Sequence, residues 1–446
     1  MIQFVAGSAT FGLFGFACLT TALTLTACEG MLLWRNPHCL ARPSMQIACL
    51  YTVFFIWPLT AFSPNLGMWL PDPYAFLMVL GIFVGALILF NLIVLDKTAR
   101  QIWQRATQPP ANAMGKVVFA TLILTIVGAL IMAGYFRQVP LTQTGLVVAL
   151  VDPTRSTMAR EESLKLIDDE FTKYTFTIFA SSIGPLLGVL LTQCATYTWR
   201  TRRFAGFILS CIVFMIVLAA LSITGARSLA VSTLLAVLLA VLFRRGFRIR
   251  ILTAIVSLSV VILPAVLITV LREGRGLDYL FEDITGVIVE RVFVSPLEVG
   301  AAYVHFAQTH GYIGIDAIPK LAQIFTGSPG IDVPNLIGLS YFMVSVDSVN
   351  ANAGFVPSYF SYFGPMGLAL AIICAVSLDA VLLTYRWIDD CLLVPSMAVL
   401  CAAMFALLSA DFTFILISYG FLIVPLFATS LSMLMRMRLH TTQPAG

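Results

Sequence analysis

Four arginines stand where a chain this apolar has little reason to keep them. Arg227 lies in ITGARSLAV between two apolar blocks, Arg272 and Arg275 in LREGRG just after a third, and Arg291 in VERVFVSPLE further on. A guanidinium is a planar fork of donors that keeps its charge at any working pH and binds phosphate oxygens in pairs. Several of them held at one membrane surface suit a phosphate-rich head group such as a lipid diphosphate. The same residues have a plainer use: Arg227 can snorkel to the interface, and Arg272 and Arg275 can anchor a helix end. Carboxylates crowd the same stretch, with Glu273, Asp278, Glu282, Asp283, Glu290 and Glu298 following one another. Any of them placed beside a hydroxyl could act as general base, although an acidic stretch is ordinarily a solvated face. His305 and His310 could accept a proton as well, but two histidines in a loop are commonly structural. Arg291 and Glu298 are seven residues apart, two helical turns, and share a face if Pro296 leaves the helix unbroken. There is no D-x-D, no H-E-x-x-H and no C-x-x-C. Arginines rather than a metal would then offset a diphosphate's charge, and no cofactor is expected.

The elements that hold these residues are membrane spans. Hydrophobic residues make up 59% of the chain and charged residues 11%, less than half the charged share, about a quarter, of a water-soluble domain. Apolar sequence falls in about eleven blocks of spanning length: residues 3–27, 45–63, 75–95, 117–136, 176–198, 205–223, 228–243, 251–271, 364–385, 392–409 and 412–434. The fold expected is an all-α polytopic membrane protein. The first block has no Lys or Arg before Arg35, so it reads as a retained span rather than a secretory signal. Alternate loops carry Arg35 and Arg42; Lys97, Arg100, Arg105 and Lys116; Arg200, Arg202 and Arg203; Arg244, Arg245, Arg248 and Arg250; Arg386; Arg436 and Arg438. This dense basic set marks the cytoplasmic side, which puts the N-terminus outside, the C-terminus inside and the loop 272–363 outside. The net charge of +4 is spent on these flanks, so no nucleic-acid partner is expected.

Three regions result: spans one to eight over 1–271, the large external loop 272–363, and spans nine to eleven with a short tail over 364–446. A second external loop, 137–175, reads either as an amphipathic helix lying along the interface or as a simple connector. The helix would be capped at Asp152-Pro153, with Leu164, Ile167, Phe171 and Tyr174 on its apolar face. Within the large loop, 277–309 reads as one or two short helices, and the Gly- and Pro-rich 311–338 as an ordered cap. Asp379 sits near the cytoplasmic end of its span and Asp411 in an outward turn, so neither demands an ion pathway. The nine cysteines read as small core residues.

At these residues the chain resembles a family. TGARSLAVSTLLAVLLAVLFRRG is similar to the G-[TS]-R-[AGS] span start of bacterial polysaccharide repeat-unit polymerases, the Wzy-type enzymes. ERVFVSPLEVG resembles the R-x-x-x-S-P-x-E segment of the large periplasmic loop in the enterobacterial-common-antigen polymerase branch. NANAGFVPSYFSYFGPMGLAL looks like that family's loop exit. The matched positions are Gly225, Arg227, Ser228, Arg291, Ser295, Pro296, Glu298, Gly354, Gly364 and Gly367. Ala226 departs from the Thr or Ser of the span start, and 311–338 matches only loosely.

The resemblance implies a GT-C-like architecture in the bacterial inner membrane and a metal-independent glycosyltransferase, an O-antigen-type polymerase of the cell envelope. Its substrate would be an oligosaccharide on a polyprenyl (undecaprenyl) diphosphate, moved en bloc onto a new lipid-linked unit, with membrane lipid and a chain-length-regulating co-polymerase as partners. In that assignment Arg227, Arg272, Arg275 and Arg291 hold the diphosphate, and Glu298 orients Arg291 or takes the acceptor's proton. Asp283 and His310 are further acid/base candidates. The related O-antigen ligase uses the same donor. A lipid-linked-oligosaccharide flippase or other transporter, or a non-catalytic scaffold, is the reading from a different class; transporters line a cavity with polar groups from many spans, whereas here the polar residues gather in two loops.

Overall fold

The computed structural model describes residues 10–66, 73–94, 97–108, 114–151, 163, 165–224, 227–247, 286–342, 353–410, 412–417 and 419–441. These residues form helices and turns, with no strand among them. In lipid a backbone must satisfy its own N–H and C=O groups, and a helix does so within one segment. Eight helices among the described residues are long and apolar enough to cross a membrane: Leu13–Arg35, Pro43–Ala61, Tyr74–Ile93, Met114–Gln138, Glu170–Arg200, Phe204–Leu221, Pro365–Tyr385 and Asp390–Leu408. The chain is an all-α polytopic membrane protein. Leu229–Arg244 and Ile423–Met437 are apolar but shorter, and the block 251–271 lies outside the described residues.

Three elements depart from the hydropathy reading. The first span runs beyond its expected end at residue 27, in a helix that continues to Arg35. Glu29 does not end it, because Thr52 of the next span donates a 2.7 Å hydrogen bond to its carboxyl. The last block, 412–434, is broken into Phe412–Ile417 and Ile423–Thr441. Between them the Phe421 and Leu422 N–H groups reach back to the Ile415 and Leu416 carbonyls. Gly420 has φ +78°, and a Cβ there would fall 1.7 Å from Ser182 Oγ. The break is thus fitted to the π-helical turn Phe179–Ile183 inside the Glu170–Arg200 span. The third departure is the loop 137–175. The helix that carries Phe171 and Tyr174 begins only at Glu170, capped by the Asp169 carboxylate, which accepts from the Phe171 and Thr172 N–H groups at 3.3 and 2.9 Å. Residues 166–169 are not helical, Ile167 is buried, and Phe171 and Tyr174 are exposed. An aspartate able to bond the backbone ahead of it favours a helix start over a helix interior, so the apolar periodicity does not make one interfacial helix. The Asp152-Pro153 start lies outside the described residues.

The chain divides into two compact units. One comprises Met1–Ala99, Ile288–Ala380 and Met404–Phe412; the other comprises Arg100–Val287, Val381–Ala403 and Thr413–Gly446. In the first, the core centres on Tyr51, which stacks on Phe55 and meets Phe83 and Phe355 edge-on. Its hydroxyl donates to the Leu407 carbonyl at 3.2 Å. Near the other end of the same helix, Arg42 is 3% and Asp379 11% exposed, joined Nη2 to Oδ2 at 2.8 Å. Ser44 donates to Asp379 from both N–H and Oγ, Asn91 donates to Ser44, and Arg42 also reaches the Val94 carbonyl. Asp379, expected to reach the interface, is instead bound inside this cluster.

The second unit is built on Glu170–Arg200, which packs against Met114–Gln138, Phe204–Leu221 and Arg227–Arg244. Close approach requires glycine on its inner face. A Cβ on Gly184 or Gly188 would lie 2.7 Å from Leu221 or Thr233. At one end of this unit Asp389 and Asp390 clamp two other segments, with Lys116 on Asp389 at 2.6 Å and Arg105 on Asp390 at 2.7 Å. Burial pushes the Asp389 carboxyl up, but Lys116, by hydrogen bond and charge, and the Cys391 N–H outweigh it and hold the group below its ordinary range.

Candidate active site

The described part of the long loop lies in the first unit from Ile288 onward, and its centre is the helix Ser295–His310. Pro296 does not break this helix. It sits in the first turn, where its missing N–H has no helical partner to lose. Ahead of it, Gly286–Val294 winds as a π-helix. Phe293 stacks on Phe54 of the second span at 5.5 Å, which fixes the junction. Leu297, Gly300, Ala301 and Val304 are buried against neighbouring helices. A Cβ on Gly300 would approach Phe76 to 3.1 Å and Pro357 to 3.3 Å, so the helix backbone lies close against the Pro73–Ile93 and Phe355–Phe363 helices. Phe355 meets Phe83, halfway along Tyr74–Ile93. Phe355–Phe363, the last helix of the loop 272–363, therefore reaches that depth within the unit.

The exit segment owes its glycines to packing. A Cβ on Gly354 would lie 2.9 Å from the Leu407 carbonyl and from the Tyr51 hydroxyl. Gly364, with φ +61°, alone links Phe355–Phe363 to Pro365–Ser377, and a Cβ there would fall 2.4 Å from the Tyr312 ring. A Cβ on Gly367 would lie 1.8 Å from the Tyr359 carbonyl, so only glycine lets this helical hairpin close.

The candidate residues fall as follows. Glu298 is in the first turn of Ser295–His310 and half-buried. Burial first, and then the Glu290 carboxylate, push its carboxyl above the ordinary range. Arg291 is within the π-helix. An i→i+5 turn winds less per residue than an α turn, so the face of Glu298 shifts from position 291 toward 290. The seven-residue pairing of Arg291 with Glu298 assumed α winding; across the π-helix it is Glu290 whose charge Glu298 feels. His310 closes the same helix, twelve residues and about 18 Å from Glu298 along the axis, so the two cannot serve one reacting atom. Its Nδ1 pairs with Thr309 Oγ1 at 2.7 Å and its ring stacks on Phe306. His305 bonds the Tyr341 hydroxyl through Nδ1. Burial and then His310 hold His305 below its ordinary value. Arg227 is the first residue of Arg227–Arg244, in the second unit. Arg272, Arg275 and Asp283 lie outside the described residues.

Two features were missed from sequence. Glu290 was one acid among six, and only the π winding singles it out. Tyr341 carried no signal, because a single tyrosine 36 residues from His305 has no spacing to read. Among the described residues no three of His, Cys, Asp and Glu come together as a metal set. Comparisons with protein-family models, with curated proteins and with solved structures gave no match.

Proposed function

We propose that this protein is a glycan polymerase acting on polyprenyl-diphosphate-linked oligosaccharides at the outer face of the bacterial inner membrane. An acceptor hydroxyl attacks the anomeric carbon of the growing chain, the bond from that carbon to the diphosphate oxygen breaks, and polyprenyl diphosphate leaves with the electron pair. Glu298 takes the hydroxyl proton, and Arg291 stabilises charge gathering on the leaving group. The observation that carries this reading is the setting of Glu298: half-buried, beside a second carboxylate, on a helix packed into the span bundle. A carboxylate raised toward neutral pH is a better base than a solvated one. The sequence resemblance around Arg227, Arg291 and Glu298 supports the same reaction, as does the scarcity of polar groups on the spans.

The test is gel analysis of surface glycan from a strain lacking the gene, complemented with wild type, Arg291→Ala or Glu298→Gln at matched protein levels. A ladder that collapses to single repeat units and returns only with the wild type supports the proposal. An unchanged ladder in the deletion strain refutes it for that glycan. Long glycan that accumulates without joining lipid A would mean ligase.

One observation favours transport as a second reading. The last span is broken at 419–422 where it meets the π-helical turn at Ser182, and interrupted helices are how many transporters build a site within the bilayer. Single lipid-linked units trapped on the cytoplasmic side of the deletion strain's membrane would select it.

A further inference from the structure

Glu29 is a carboxyl group inside the first span, in a helix whose last turn ends six residues later at Arg35. It is 6% exposed. Its partner is Thr52 Oγ1, which donates to Oε1 at 2.7 Å. Among the described residues no Lys, Arg or His nitrogen lies within ion-pair distance of it. Charged and titratable groups on this helix and on the elements packed against it are Cys18, Cys28, Arg35, His38, Cys39 and Tyr74, with Arg42 and Tyr51 next in the chain to those elements. Of these, Arg42 is spent on Asp379 and the Val94 carbonyl, and the Tyr51 hydroxyl on the Leu407 carbonyl. A carboxylate stripped of water with one hydroxyl and no cation is costly by several kcal/mol. The neutral acid is not.

Thr52 is also where the second span leaves α geometry, opening the π-helix Thr52–Ile56. A π turn is rare and frequently marks a functional position, and an ionisable group within a span commonly marks a proton or ion path. Here the two coincide on one hydrogen bond. We propose that Glu29 is a proton-binding site within the bilayer, neutral while docked on Thr52 and able to exchange its proton when that contact opens. Proton occupancy then sets the packing of the first span on the second. The site is independent of the glycan chemistry proposed above.

The test uses the full-length protein in native membrane vesicles and the probe dicyclohexylcarbodiimide. This reagent adds a protonated carboxyl across its C=N bond and rearranges to a stable N-acylurea. Mass spectrometry of the Glu29 peptide, between pH 5.5 and 9.5, should show labelling that is complete at the acid end and lost as pH rises. Glu29→Gln keeps the shape and an acceptor for Thr52, and should abolish it. Thr52→Val removes the donor that favours the ionised form, so the midpoint should move up by about one pH unit. No labelling at any pH would overturn the proposal, since the group would then be ionised or sealed off. Labelling constant across the range would also overturn it, making Glu29 a permanently neutral packing group. An unmoved Thr52→Val midpoint would remove Thr52 as the gate.

Discussion

Replacing Asp379 by alanine should unfold this protein far more readily than replacing Asp390, although each aspartate is half of an ion pair at 2.8 or 2.7 Å. The difference lies in what each deletion strands. Asp379 accepts from Arg42 Nε, the Ser44 N–H and Ser44 Oγ at 2.8, 2.9 and 2.8 Å. Without it a guanidinium that is 3% exposed keeps one carbonyl and the face of Phe90. Breaking a buried pair from one side costs about 3–5 kcal/mol. Arg105 and Asp390 are 31% and 53% exposed, and pairs in water contribute under about 1 kcal/mol. Arg105 also keeps the Tyr385 and Ile388 carbonyls when Asp390 is gone. At roughly 2 °C per kcal/mol for a unit of this size, Asp379→Ala should lower Tm by roughly 6–10 °C and Asp390→Ala by at most about 2 °C. The assay is tryptophan fluorescence of detergent-purified protein at one fixed scan rate, because membrane proteins commonly unfold irreversibly. The double variant Arg42→Met/Asp379→Leu should recover most of the loss, since it leaves no charge behind. Equal shifts for the two alanine variants, or a double variant no better than Asp379→Ala, would refute the reasoning.

Two further outcomes follow from the same geometry. If Glu298 is the base, polymer formation should rise with pH as its carboxyl ionises, above the ordinary carboxylate range because burial and Glu290 raise it; Glu290→Gln removes the like charge, so the rise should move to lower pH in a pH–rate profile while the maximal rate holds. Gly367→Ala sets a methyl group 1.8 Å from the Tyr359 carbonyl, so the hairpin must splay, and Tm should fall by several degrees, whereas Gly15→Ala, with nothing within 4 Å, should leave it within about 2 °C of wild type.

Much of the fold was readable because apolar runs and span length are a one-dimensional signal. The core of Tyr74–Ile93, Met114–Gln138 and Pro365–Tyr385 could be placed before any coordinates. What failed was anything decided by a partner far along the chain. Hydropathy ends the first block at residue 27, short of Glu29, because Thr52 is not beside that carboxyl in the sequence. Asp379 looked free to reach the interface because Arg42 is 337 residues away. The interruption at 419–422 falls inside an apolar block, and only its fit against Ser182 explains a glycine there. The candidate site was legible as residue types, in Glu298 and the arginines, but not as geometry. No composition signal distinguishes π from α winding over GVIVERVFV, and that winding decides whether Glu298 faces position 290 or 291.

The π turns at Thr52–Ile56, Phe179–Ile183 and Gly286–Val294 bear on how relatives of this chain should be aligned. A π turn is what a helix makes of one inserted residue: it swallows the extra position and rotates everything beyond it. In an alignment, insertions are normally sought between spans. Here a relative without the insert would show a one-residue gap in the middle of a hydrophobic segment, at the threonine that holds Glu29 or the serine that meets Gly420. Scoring schemes that forbid gaps inside spans would slide such a pair out of register by one position, turning lipid-facing residues into apparent core and hiding real kinship.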